Sequence, residues 1–332
     1  MPSHHLARIG ESPDLSDMPD PGAYEWRRFT RCNMCGASVA RARRLGRRLS
    51  QRQGLRPAPI AGAPVATIQR CAECGLVFAN PMPVPVELDN HYGIPPAEYW
   101  RDADLASAKG YFADQIVQFR RLYPRRERLT ALDIGAGVGK AMISLEAAGF
   151  AAFGIEPSAN FYNYAISRTG VAPERLSLGR VEDAEFAAGR FDFVTFGAVL
   201  EHLADPAAAI LSALAWTRAG GLIHIEVPSS DWLMARLVDL GYRIQGLDFT
   251  CHLSPLHIPF HLFEFTPASF ERHGARAGYE VTLCRRHVAQ TYAPGWADAG
   301  LSRLMELTNT GMQLEVWLRK PTSTEASNAR RT

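Results

Sequence analysis

The residues whose types and spacing could do chemistry fall into three groups along this chain. Cys32-x-x-Cys35 and Cys71-x-x-Cys74 form two knuckles, 35 residues apart. Each knuckle brings two thiolates to one ion, and two knuckles close a tetrahedral site of the structural kind, with zinc the expected metal. A closed site has no open coordination position, so it is expected to fold its module rather than to catalyse. The second group is Leu132-Asp-Ile-Gly-Ala-Gly-Val-Gly-Lys140. Gly135, Gly137 and Gly139, with Ala136 between the first two, let the backbone turn sharply and come close to a ligand. Their G-x-G-x-G spacing is tighter than the dinucleotide fingerprint, and an acid, Asp133, stands at the end of the preceding apolar run. Glu156, followed by Pro157, lies about 20 residues on, where a carboxylate can accept both hydroxyl hydrogens of a ribose. Val181 and Asp183 are then placed to flank an adenine and accept its amino hydrogen. The third group is His202, His257 and His261. Imidazole has an ordinary pKa of about 6.5, which suits it to taking a proton from a reacting hydroxyl. His261 and His202 are the preferred bases, with Glu226 and Glu201 as secondary candidates.

The elements that must position these groups can be read from periodicity. From residue 128 onward strands alternate with helical segments, the pattern of a parallel sheet covered on both faces. Strands are expected at 130–135, 151–156, 176–179, 191–196, 222–227, 280–286 and 313–319. The last alternates as a half-buried edge or antiparallel strand does. Helices are expected at 139–148, after Pro157-Ser158, after Asp205-Pro206 and at 267–277. Asp205 serves as N-cap with Pro206 in the first helical position. A helical connector is expected at 106–122. Residues 228–265 read as a long irregular stretch, and a loop of that length is usually functional. Trp232, Tyr242, Phe249, Phe260 and Phe263 give it apolar faces, so it is expected to be a lid over a pocket.

The expected organisation is a disordered leader at 1–29, a metal-binding module at 30–82, and a linker with helical connector at 83–127. The main domain follows at 128–320, with its lid at 228–265 and a disordered tail at 321–332. The segment between the knuckles carries Arg41, Arg43, Arg44, Arg47, Arg48, Arg52 and Arg56. It could be a phosphate-binding patch, but no aromatic residues interleave to stack bases, which favours a solvated loop.

Composition sets the outer limits. The 332 residues suggest about two domains. Hydrophobic residues at 47% and charged residues at 21% exclude wholesale disorder. A net charge of +2 gives no general pull toward an acidic partner. No run approaches the roughly 20 apolar residues needed to span a bilayer, and the first 31 residues hold no signal-peptide core. A cytoplasmic, reducing location is therefore expected, where paired cysteines serve as metal ligands rather than disulfides. The isolated Cys251 and Cys284 read as buried thiols.

The stretch from about residue 130 to 320 resembles the class I methyltransferases. The resemblance rests on Leu132-Asp-Ile-Gly-Ala-Gly-Val-Gly139, Gly154-Ile-Glu-Pro-Ser158, Phe191-Asp-Phe-Val-Thr-Phe-Gly-Ala-Val-Leu-Glu-His202 and Gly220-Gly-Leu-Ile-His-Ile-Glu-Val-Pro228. It implies an α/β, Rossmann-like, seven-stranded sheet whose last strand is antiparallel. It also implies S-adenosylmethionine bound at the carboxyl ends of the strands, where strand order reverses. Asp133 and the three glycines would hold the methionine end, Glu156 the ribose, and Asp183 with Val181 the adenine. Ala198 to Leu200 would pass beneath the sulfonium. Gln69-Arg-Cys-Ala-Glu-Cys-Gly-Leu-Val-Phe-Ala-Asn-Pro81, followed by His91-Tyr92, resembles the zinc-ribbon head of bacterial methyltransferases in polysaccharide and specialised-metabolite pathways. In ubiquinone-pathway O-methyltransferases a similar Glu-x-x-Glu-His binds magnesium. Here the first of those positions is Ala198, so a catalytic metal is not expected.

The resulting expectation is a methyltransferase acting on a small or carrier-linked metabolite, at oxygen, with no nucleic-acid or membrane partner. Three alternatives stay open at this point. One is an RNA methyltransferase with a zinc head, although no Asn-Pro-Pro-Tyr motif follows residue 196. Another is a carbon methyltransferase of nucleotide sugars. The third is a protein that uses or binds the cofactor without methyl transfer, such as a cyclase.

Overall fold

The computed structural model describes residues 24–51, 53–86, 110–125, 127–289, 291–322 and 325. The expected leader up to residue 23 lies outside the described residues. So do residues 87–109 of the linker, with His91 and Tyr92, and most of the 321–332 tail.

The chain begins with β1 (Tyr24–Arg27), β2 (Arg43–Leu49), β3 (Val65–Arg70), β4 (Val77–Ala79) and β5 (Met82–Pro85). Then follow α1 (Ala113–Leu122), β6 (Thr130–Ile134), α2 (Lys140–Ala147), β7 (Ala151–Glu156) and α3 (Ala159–Tyr164). After them come β8 (Leu176–Leu178), β9 (Phe191–Gly197), α4 (Pro206–Trp216), β10 (Thr217–Pro228) and α5 (Leu233–Ile244). The last elements are β11 (Phe263–Glu264), α6 (Pro267–Ala277), β12 (Glu280–His287), α7 (Gly295–Leu307) and β13 (Gln313–Arg319).

A seven-stranded sheet runs β12-β13-β10-β9-β6-β7-β8. Strands β6 to β10 are parallel neighbours, and β13 runs antiparallel to both β10 and β12. From β6 the chain moves outward to β7 and β8, then returns to the other side of β6 with β9. That reversal opens a crevice at the carboxyl ends of β6 and β9, the place where open α/β sheets take ligands. The seven strands lie where periodicity put them. β9 is buried along Phe191–Phe196, as a strand covered on both faces must be. Its one acid, Asp192, accepts hydrogen bonds from the Tyr123 hydroxyl at 2.8 Å and the Thr130 N–H at 2.9 Å. The Asp205 side chain caps α4 by accepting from the Ala208 N–H at 2.9 Å, with Pro206 in the first turn.

Three expectations are corrected. β13 is antiparallel, one of the two readings of its alternation, but it is neither an edge nor half-buried: it lies inside the sheet, between β10 and β12. Its alternation came from Glu315, which is buried yet accepts from Arg285, His287 and the Trp317 ring N–H. The stretch 228–265 is not irregular throughout, because it contains the twelve-residue helix α5 and the short strand β11. The arginine-rich segment is a loop only in part: Arg56 is an exposed loop residue and Arg52 lies outside the described residues. Arg43 to Arg48 lie in β2, paired antiparallel with β3.

A four-stranded sheet, ordered β11-β4-β3-β2, joins the cysteine-bearing segment to the end of the lid. Phe263 pairs with Phe78 and Glu264 with Val77. The hydrophobic core is continuous across this seam: Cys32, Cys71, Cys74, Leu76 and Phe78 share one cluster with Leu200, Val227, Phe263, Phe265 and Phe270. Among the described residues, no helix is long and apolar enough to cross a membrane.

Candidate active site

The glycine turn connects β6 to α2, and its three glycines all have left-handed backbone, with φ of 72°, 55° and 79° at Gly135, Gly137 and Gly139. At two of them the space is also closed. A Cβ on Gly135 would lie 2.5 Å from Val199, and one on Gly139 would lie 2.4 Å from Val171. Conformation and packing therefore both require glycine there. Ala136 is buried beside them and Leu200 is fully buried, whereas Gly197 and Ala198 are exposed at the tip of an otherwise buried β9. Ala198 adopts φ 57° and donates its N–H to the Glu226 carbonyl at 2.9 Å. The exposed tip of β9 thus faces the crevice with backbone and one methyl group, leaving room for a ligand.

Glu156 ends β7, almost wholly buried. Its carboxylate accepts the Gly137 N–H at 2.7 Å and the Ser158 N–H at 2.8 Å, which ties the strand tip to the glycine turn. A carboxylate offers about four lone-pair directions, so two remain for ligand hydroxyls. Pro157 beside it is exposed. Val181 and Asp183 form a single helical turn after β8, the valine buried and the acid exposed. Asp133 is buried in the crevice floor, where loss of hydration pushes its carboxyl up to about 8, with Glu156 adding to the shift. Sequence reasoning missed two neighbours of this end. Lys140 is buried at the first position of α2, with its ammonium 5.7 Å from the Tyr111 ring centre. Loss of hydration raises the Tyr111 phenol, and the charges of Asp133 and Glu226 raise it further. No local signal marked Tyr111, because it precedes α1 and meets the crevice only through the fold.

The histidines separate. His202 and His261 come together, their ring centres 5.0 Å apart, and both face Glu201. His202 Nε2 is 3.9 Å and His261 Nε2 4.0 Å from Glu201 Oε1. The β9 tip supplies Glu201 and His202, while the segment leading into β11 supplies His261. The Leu262 N–H donates to the Glu201 carbonyl at 2.8 Å, and His202 Nδ1 donates to the Phe260 carbonyl at 3.3 Å. Glu201 is 1% exposed, and among the described residues its Oε2 has no hydrogen-bond partner. Burial pushes its carboxyl up to about 8, and Glu226 adds to this, so near neutral pH it holds a proton it can share with an imidazole. These three side chains could also hold a divalent ion, since their donor atoms lie within 4.8 Å of one another. Sequence alone counted two of them, because His261 is distant in the chain.

His257 does not join this group. Its Nε2 accepts from Arg48 Nη2 at 3.1 Å, and its Nδ1 donates to the Ile258 carbonyl at 2.9 Å. Nε2 ties this segment to β2, and Nδ1 braces it internally. The arginines of that strand are similarly occupied. Arg44 and Arg47 lie 2.6 and 3.5 Å from Asp248, Arg47 stacks over Phe249, and buried Arg48 donates to the Leu253 carbonyl.

The four cysteines converge. Cys32 Sγ lies 3.6 Å from Cys74 Sγ, Cys35 Sγ lies 3.6 Å from Cys71 Sγ, and all four lie within 4.8 Å of one another. A tetrahedron with zinc–sulfur bonds of about 2.3 Å has sulfurs about 3.8 Å apart, so the set fits one zinc ion with every position filled by protein.

A pH prediction follows from the two raised carboxyls. Each binds its proton more tightly in the folded chain than in the unfolded one, so the folded state holds extra protons between about pH 4 and 8. Stability of the ligand-free protein should therefore fall as pH rises through that window, by up to about 1.4 kcal/mol per unit per group, and the decline should end above about 8. Urea midpoints measured from pH 5 to 9 test this. Asp133→Asn should flatten the slope, and an unchanged slope would show that Asp133 titrates normally.

Comparison with known proteins gives concordant matches. A family model described as a methyltransferase domain matches residues 99–283, more than half of the chain. The ubiquinone biosynthesis O-methyltransferase of Aromatoleum aromaticum is 28% identical over 153 residues, which are 45% of this chain and 63% of that protein. The chain thus spans less than two thirds of that relative's length. Among solved structures, an S-adenosylmethionine-dependent methyltransferase from Mesorhizobium loti is 14% identical with a TM-score of 0.44, covering 64% of this chain and 100% of that one. A second, from Methanosarcina mazei, is 16% identical with a TM-score of 0.44, covering 63% and 98%.

Proposed function

The chain belongs to the methyltransferase-domain family, and from that premise we propose that it methylates a hydroxyl oxygen of a small or carrier-linked metabolite in the cytoplasm. Its sulfonium cosubstrate, S-adenosylmethionine, supplies the methyl group. The observation that carries the reading is the Glu201–His202–His261 group at the end of β9, next to the glycine turn. Transfer to a hydroxyl needs a group to remove its proton and a fixed approach of the oxygen. His261, on the lid side, takes that proton, and Glu201 and His202 orient and polarise its ring. Glu226, at the neighbouring strand tip, adds negative charge that favours the protonated imidazole. Gly135, Ala136, Gly137, Gly139 and Asp133 hold the methionine end, Glu156 and Pro157 the ribose, and Val181 and Asp183 the adenine. Ala198 and Leu200 form the floor beneath the sulfonium. Cys32, Cys35, Cys71 and Cys74 hold a structural zinc.

Two further observations support a small acceptor. In the basic strand that could have bound a nucleic-acid backbone, Arg44 and Arg48 are engaged by Asp248 and the Leu253 carbonyl. The relative named above acts on oxygen, although its acceptor does not follow for this chain. The deciding experiment supplies methyl-labelled S-adenosylmethionine with hydroxylated aromatic and sugar acceptors, and locates the label by mass spectrometry. Label on nitrogen or carbon, or cofactor consumed without methyl transfer, would overturn the reading. A chelator followed by magnesium separates a histidine base from a divalent ion held by Glu201, His202 and His261: only the ion-assisted reaction would recover with magnesium alone, without zinc.

The ribose assignment has its own expected result. Glu156→Ala removes two charge-assisted hydrogen bonds at about 1.5–3 kcal/mol each, less what water restores, so binding should weaken by roughly 2–4 kcal/mol. Calorimetry with S-adenosylhomocysteine measures this, and unchanged affinity would remove Glu156 from the site.

A further inference from the structure

We propose that the four-cysteine head positions the methyl-acceptor side of the site, through the Thr266 hydroxyl two residues past β11, the strand that follows His261. The inference rests on the reading of His261 given above. Its basis is the number of independent bonds that run from the second knuckle to both ends of the lid. The Thr266 hydroxyl, one residue past the lid, donates to the Cys74 carbonyl. The Ser230 hydroxyl, near the start of the lid, donates to the Gly75 carbonyl at 3.3 Å. Arg70, the residue before Cys71, donates to the Ser230 carbonyl and pairs with Asp231 at 3.2 Å. From the first knuckle, the Met34 carbonyl accepts from Arg276 of α6 at 3.0 Å.

Cys74 is three residues from Val77, which pairs with Glu264 in the β4–β11 ladder. His261 is two residues before β11, and its neighbour Leu262 is bonded to the Glu201 carbonyl. The sulfur cluster, β4, β11 and His261 therefore form one mechanical series, ending at the carboxyl group that faces both histidines. A β-strand is a short rigid segment whose register puts alternate side chains on opposite faces, so losing the ladder would free the direction in which His261 points. The cofactor half of the crevice is built on β6, β7 and α2; Leu132, Ile134 and Ile155 of those strands share the cysteines' hydrophobic cluster but make none of the hydrogen bonds of this series. The directional bonds of the head thus reach the acceptor half of the site.

Thr266 is a positioning residue in this scheme, and it also caps α6 by accepting from the Ser269 N–H at 3.1 Å. The test must separate these roles. It uses the full zinc-loaded chain, the same chain stripped with a chelator under reducing conditions, and the variants Thr266→Val and Thr266→Ser. The readouts are amide hydrogen exchange at Leu262, the ring titration of His261 by NMR, and affinity for S-adenosylhomocysteine. Zinc stripping, which leaves the α6 cap in place, should speed exchange at Leu262 by on the order of tenfold or more, as local opening of a low-stability segment does. It should also shift the His261 titration, while cofactor-analogue affinity stays within about threefold. Thr266→Val should act in the same direction, and Thr266→Ser should restore both readouts. The proposal falls if Leu262 exchange and His261 titration are unchanged on zinc removal, or if Thr266→Ser behaves like Thr266→Val. None of these readouts depends on His261 acting as the base. That reading fails separately, by normal turnover of His261→Ala.

Discussion

His261→Ala is expected to cut the single-turnover rate of methyl transfer about 10²–10⁴-fold, the contribution typical of a positioned proton acceptor. Cofactor affinity should change little, because the ring faces Glu201 and His202 rather than the glycine turn or Glu156. The acceptor identified with labelled cofactor serves for the measurement. His202→Ala is the informative companion. Its Nδ1 holds the Phe260 carbonyl, so its loss should lower thermal stability and also loosen the turn that carries His261. A structural histidine and a base are then distinguished by the ratio of the two effects: a large rate loss with little change in melting temperature marks the base. Near-normal rates in both variants would mean that the reaction relies on proximity alone, or that the acceptor is not a hydroxyl. The larger effect in His202→Ala, without a stability change, would move the base to that residue.

Cys71→Ser should abolish zinc binding, and the purified native chain should carry one zinc. Apparent zinc-binding free energies in small four-ligand sites reach about 10–16 kcal/mol at neutral pH, all of it available to stabilise the folded head. Few single substitutions remove so much. The damage should not stop at the head, since its cysteines share a hydrophobic cluster with Phe263, Phe265 and Phe270. The lid end of the chain should lose protection together with the head, whereas β6 to β10 should stay folded and retain S-adenosylhomocysteine binding. Metal analysis, amide exchange and calorimetry on the same preparation check the three parts. Absence of metal in native protein prepared without chelator would sink the zinc assignment. Complete unfolding of Cys71→Ser would show that the seven-stranded sheet cannot stand without the head.

Features legible in the sequence were those encoded within a few residues of one another. Each strand of the large sheet announced itself by its own apolar run, and the glycine turn by the spacing of Gly135, Gly137 and Gly139. Asp205-Pro206 marked the start of α4, because a cap acts on the next three residues. The cysteine pairs were legible for the same reason: a C-x-x-C knuckle is a local turn, and two of them imply one ion. Residues 233–244 and 295–307 were missed as helices. Part of each apolar face points outward, at Leu237, Leu240 and Ile244 of the first and Trp296 and Leu307 of the second, although Arg236, Asp239 and Arg243 recur at helical spacing in the first.

Only the tertiary structure decided which histidines act together. His257 and His261 have the same local surroundings in sequence, but the β2 arginine that reaches His257 is more than two hundred positions away in the chain. The same fold brings His261 to Glu201 through a strand pairing between β4 and β11 that no periodicity encodes, since two residues of ladder are too short to leave a pattern. The arginine-rich strand shows the general reason. Composition states that seven arginines are present, but a charge reads as a solvated face, a ligand site or a structural clamp according to what packs against it. Asp248, Phe249 and the Leu253 carbonyl come from the far side of the chain, so the surroundings of Arg44, Arg47 and Arg48 depend on long-range packing. Local sequence therefore marked the candidate groups, and the packing of the head against residues 228–265 decided which of them stand together.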